Sequence, residues 1–116
     1  MKRLHLALGV ADIPASIIEY TNRLGKKPLV IIENEYALYR TDTLNVSIRK
    51  VSSPDVGLRH LGWESPDYTS FEEEIDCNGI TWEYFPKEAQ VKEILENWPD
   101  AKKDNVYLQW TNGTYY

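Results

Sequence analysis

The chain's only two histidines stand 55 positions apart in matching phrases, His5-Leu6 and His60-Leu61. Seven residues after each comes an aspartate, Asp12 or Asp67, where a strand-like stretch gives way to a helix-like one. A strand-then-helix phrase written twice in 116 residues marks two copies of one small module. The repeat also puts two neutral imidazoles, good metal ligands, at equivalent places.

Residues 3–10 alternate strictly, with Leu4, Leu6, Leu8 and Val10 on one side and His5, Ala7 and Gly9 on the other, which predicts a strand. Asp12 is an N-cap, Pro14 fits a first turn, and Ile13, Ile17, Tyr20 and Leu24 recur at helical spacing before Gly25, so a helix is expected over 13–24. Three strands follow over 28–33, 36–40 and 44–50. The second half restates the order. A strand over 58–64 turns His60, Gly62 and Glu64 to one face, and Asp67 opens an expected helix with Phe71 and Ile75 as its apolar stripe and Gly79 as its stop. A strand over 80–85 leads to a third helix over 86–98, which the first module lacks, carrying Val91, Ile94, Leu95 and Trp98 on one face. A strand over 106–110, a turn at Thr111-Asn112-Gly113 and a last strand from Thr114 complete the expectation.

With 42% hydrophobic and 12% aromatic residues and no linker between the halves, the chain is expected to form one domain over 1–116, module one spanning about 1–52 and module two about 57–116. A net charge of −5 argues against a nucleic-acid partner, since Lys26-Lys27 and Lys102-Lys103 are too short to bind phosphates. His5 and Asp12 cut short the only signal-like start, and no stretch approaches transmembrane length. The single cysteine, Cys77, excludes an internal disulfide, so a soluble cytoplasmic protein with no membrane partner is expected.

The phrase His5-Leu6-Ala7-Leu8-Gly9-Val10-Ala11-Asp12, then Ser16, Tyr20, Leu24-Gly25 and Pro28, then Leu58-Arg59-His60-Leu61-Gly62 and Asn112-Gly113, resembles the vicinal oxygen chelate superfamily. That superfamily includes glyoxalase I, bleomycin-resistance proteins, fosfomycin-resistance enzymes, extradiol dioxygenases and organoarsenical lyases. The resemblance implies an α+β fold of paired βαβββ modules, their mixed sheet curled into a cup with helices on the convex face and a ligand site in the hollow. It further implies that His5 and His60 bind one divalent ion, zinc, iron, manganese or nickel, with a glutamate on the last strand. That glutamate would fall past Tyr116, leaving Glu64 and Gln109 as candidate substitutes. Short members commonly exchange modules, which implies a homodimer pairing His5 of one subunit with His60 of the other; a monomer with both in one cup is the alternative.

The function so implied is a metal-assisted enzyme of lyase, transferase or dioxygenase type acting on a small molecule, with Glu64 as base. Asn45, Ser47 and Arg49 alternate onto the cup side of their strand; Asn45 and Arg49, with Trp110, are the candidate substrate contacts. The rival is a metal-free protein that sequesters a bulky aromatic or cationic compound, favoured by the missing acid and by Trp82, Tyr84, Trp98, Tyr107 and Trp110. A third reading is a regulatory or vestigial domain without ligand, which a sealed or filled cup would support. Against each stands a plainer role: hydrogen-bonded histidines, core aromatics, a solvent-facing arginine, and a third helix that is a lid or merely a packing or dimer surface.

Overall fold

The computed structural model describes residues 2–103; the expected strands over 106–110 and from Thr114, with Gln109 and Trp110, lie outside the described residues. The elements run β1 (Arg3–Val10), α1 (Ile13–Leu24), β2 (Val30–Ile32), β3 (Tyr36–Arg40), β4 (Leu44–Lys50), β5 (Gly57–Glu64), β6 (Glu72–Ile75), β7 (Thr81–Phe85) and α2 (Lys87–Asn97), with short 3₁₀ turns at Ser53–Asp55 and Pro99–Lys103. The start of the chain folds as its local signals dictate. Asp12 Oδ1 accepts from the Ala15 N–H at 3.0 Å, and Gly25 closes α1 at φ 65°, its N–H donating to the Thr21 carbonyl.

The seven strands of the described residues form one mixed sheet, in an α+β fold, in the order β2-β3-β4-β1-β5-β7-β6. The order reads symmetrically about its centre: β1 is parallel to β4, β5 is parallel to β7, and β1 and β5 meet antiparallel. Strands β7 and β6 therefore occupy in the second half the places of β4 and β3 in the first.

The helix expected after Asp67 does not form. Glu72–Ile75 is a strand instead, paired antiparallel with β7 across a tight turn. In a helix Glu72, Glu73, Glu74 and Asp76 would crowd like charges within one turn. In the hairpin two of them have donors: Tyr84 Oη donates to Glu74 at 2.6 Å and Trp82 Nε1 to Asp76 at 2.9 Å. Asp76 also accepts from the Asn78 and Ile80 N–H groups, and Gly79, read as a helix stop, is the turn residue at φ 79°.

The two helices cover opposite faces. Helix α1 lies on the face of Leu8, Val10, Ala37 and Ile48, packing Ile13, Ile17 and Tyr20 there, and Tyr39 Oη ties it down by donating to the Ile17 carbonyl. Helix α2 lies on the histidine face, where Val91 and Ile94 close a core with Val30, Tyr36, Leu38 and Ala101. Helix α1 thus lies on the convex side as expected; among the described residues the second module has no helix there, and α2 lies on the histidine face, the lid or packing position expected for it. Burial on β1 follows. Arg3, His5 and Ala7 on the cup side are buried, whereas Leu4 and Leu6, with Leu61 and Trp63 beside them, are only half-buried, no second helix among the described residues lying over them.

Candidate metal centre

Three strands bring their side chains to one point. His5 is the third residue of β1, His60 the fourth of β5, and Glu83 the third of β7. His5 Nε2 lies 3.1 Å from His60 Nε2, which lies 2.6 Å from Glu83 Oε1. One donor atom from each of the three falls within 4.8 Å of the others. Nitrogen donors bound at about 2.0–2.1 Å to one ion stand about 2.8–3.0 Å apart in octahedral and about 3.3–3.4 Å apart in tetrahedral geometry, so the 3.1 Å between the imidazole nitrogens is close to the spacing of a shared ion. Two imidazoles and one carboxylate suit zinc and other first-row divalent metals.

The orientation of His5 is built from below. Glu64, fully buried, accepts a fork from Arg40, whose Nε and Nη2 each lie 2.8 Å away, and a further bond from Arg3 Nη1 at 3.2 Å. A carboxylate paired in this way only accepts, so Asn45 Nδ2 donates to Glu64 Oε1 at 2.8 Å and to Gln90 Oε1 at 2.7 Å. Asn45 must then turn its carbonyl toward His5, which donates Nδ1–H to Asn45 Oδ1 at 2.9 Å and to the Asn45 backbone carbonyl at 3.1 Å. The lone pair of His5 is left on Nε2, facing His60 and Glu83. Burial lowers the His5 pKa to about 4 against the opposing pull of the Asn45 bond, with His60 lowering it further. His5 is therefore neutral at physiological pH, the state a ligand requires.

Around these three the cavity is lined by Tyr36, Ser47, Arg49, Arg59, Phe71, Phe85, Gln90, Glu93 and Trp98, among others, and leaves about 30 Å³ of free volume. That is room for an ion and one or two small ligating groups. Phe85 meets the His5 ring edge-on at 5.0 Å and stacks on Phe71 at 5.3 Å, forming the apolar wall. Glu93, on α2, has its pKa raised by desolvation and by the charge of Glu83. Burial and Glu93 also push the Tyr36 phenol up, so it keeps its proton.

Of the residues singled out from sequence, His5 and His60 come together and Arg49 lines the cavity. Asn45 is buried behind His5 and acts on it rather than on the cavity. Glu64 shares the histidine face but is committed to two arginines and Asn45. Trp110 lies outside the described residues. The third candidate donor, sought beyond Tyr116, is Glu83. Alternation within 81–85 sets Glu83 opposite Trp82 and Tyr84, so its face was readable; its place beside His60 required the β5–β7 pairing, in which Gly62 is level with Glu83. Sequence reasoning also missed Arg59, Gln90 and Glu93.

No family model matches the sequence, and no curated protein does. Among solved structures, a hypothetical protein from Staphylococcus aureus matches at TM-score 0.52 and 12% identity over 73% of this chain and 33% of its own. An NAD-dependent benzaldehyde dehydrogenase from Legionella pneumophila matches at TM-score 0.49 and 12% identity, over 72% of this chain and 97% of its own. A glyoxalase/bleomycin resistance protein/dioxygenase superfamily member from Vibrio splendidus 12B01 matches at TM-score 0.43 and 13% identity, with the same coverage of 72% and 97%. At such identities a match speaks for fold alone, and of these three the Staphylococcus protein, above 0.5, carries that weight. The particular role of this chain rests on its own site.

Proposed function

We propose that this chain binds one divalent metal ion through His5 Nε2, His60 Nε2 and a Glu83 carboxylate oxygen, and that it is a metal-assisted enzyme of the glyoxalase type acting on a small molecule. The observation that carries the reading is the convergence of these three donors from β1, β5 and β7, with His5 held neutral and correctly turned by Asn45. The ion would act there as a Lewis acid on a coordinated oxygen, two histidines and one carboxylate leaving positions open for substrate.

The chain's own residues divide the remaining work. Arg3, Arg40, Glu64 and Asn45 fix the His5 ring from beneath. Phe85, with Phe71 stacked on it, forms the apolar wall on one side. Glu93 is a cavity-lining carboxylate outside the donor set, and we assign it, in place of the arginine-bound Glu64, the proton-transfer role.

The test is native mass spectrometry of the full chain, without affinity tag, after equilibration with zinc, manganese, iron or nickel. One ion per chain is expected, lost in His5→Ala, His60→Ala and Glu83→Ala. A wild-type protein that takes up none of the four metals sinks the proposal.

A further inference from the structure

The pairing of β1 with β5 slips once: Ala7 is level with His60, but Leu8 is level with Leu58, so Arg59 has no partner and forms a bulge. Neighbouring residues of a regular strand face opposite sides of the sheet, yet Arg59 and His60 both line the metal cavity. Bulges re-aim side chains in this way beside functional sites. A second guanidinium reaches the cavity from β4, where Arg49 lies with its Cζ 5.2 Å from the centre of the Trp98 ring.

The charges of the lining can then be balanced. Both imidazoles are neutral as ligands, and Arg49 and Arg59 offset Glu83 and Glu93. A divalent ion held by His5, His60 and Glu83 would leave two positive charges uncompensated in a half-enclosed space. From this balance, which rests on the metal reading proposed above, we infer that the site takes a small oxyanion, its oxygens placed on the ion side and clamped by Arg59 and Arg49. Guanidinium groups suit this task because their paired N–H donors match the two oxygens of a carboxylate or phosphonate. The free volume of about 30 Å³ limits the part inside to the oxyanion head, any remaining group extending outward. The bulge gives the cavity its second cation, which a regular strand would have turned to the other face.

The experiment is isothermal titration of the zinc-loaded full chain with oxalate and with oxamide, its neutral counterpart of the same shape, with zinc retention checked by mass. Oxalate is expected to bind and oxamide not. Arg59→Ala and Arg49→Ala should each weaken oxalate about tenfold while leaving zinc uptake unchanged, since neither is a ligand. Equal binding of oxamide, or arginine variants that hold oxalate as the wild type does, overturns the inference while the metal reading stands. A wild-type chain that takes up no zinc overturns both.

Discussion

His5 and Glu64 show how one buried side chain dictates the state of another. Glu64 can only accept, Asn45 must then donate to it, and His5 is thereby forced to carry its hydrogen on Nδ1. Removing the charge at the root of this chain leaves Arg3 and Arg40 buried against a neutral group. Glu64→Gln is therefore expected to cost about 3–5 kcal/mol in urea unfolding, the usual penalty for breaking a buried ion pair from one side. A loss below about 1 kcal/mol would mean the network is far more open to water than its burial indicates. His5 supplies a pH signature in the metal-free protein. Between about pH 6.5 and about pH 4 the unfolded chain protonates His5 and the folded chain resists, so stability falls as pH falls through that window, by about 3 kcal/mol. Denaturant unfolding in chelator at several pH values should show this drop, and His5→Asn should reduce it relative to wild type.

Among the elements, the contact between β5 and β7 matters most to the site, because it brings Glu83 beside His60. It depends on Gly62, where an added Cβ would lie 2.0 Å from the Glu83 carbonyl oxygen. Gly62→Ala must push the two strands apart, so a loss of about 1–3 kcal/mol together with weaker zinc uptake is expected. Wild-type zinc affinity in that variant would show that Glu83 does not depend on this close approach. The hairpin of β6 and β7 explains why one expected helix failed. Phe71 and Ile75 at helical spacing were outweighed by an Asn78-Gly79 turn and by Asp76, which gathers two backbone N–H groups and the Trp82 indole. A tract of glutamates carries little pattern of its own, so its partner strand decided it.

At the scale of the whole molecule, the three donors come from both halves of the repeat, so a bound ion would clip β1, β5 and β7 together. A ligand at a hundred times its Kd stabilises the folded state by about 2.7 kcal/mol, which for a domain this size shifts Tm by about 10 °C or more. Thermal unfolding with zinc and with chelator should differ by that order, and the difference should vanish in His60→Ala. From its own order of residues the chain settles β1, α1, β3, β4, β5, β7 and α2 and the shared face of the two histidines, because alternation, capping and glycine stops act over a few neighbouring residues. Only the tertiary structure decides that α2 lies on the histidine face, that residues 72–75 pair as a strand, that Glu83 comes beside His5 and His60 and that the β1–β5 register slips at Arg59, which lines the cavity. Each of these depends on strand order and register between segments far apart in sequence, where the energy lies in the partner's side chains rather than in the local pattern.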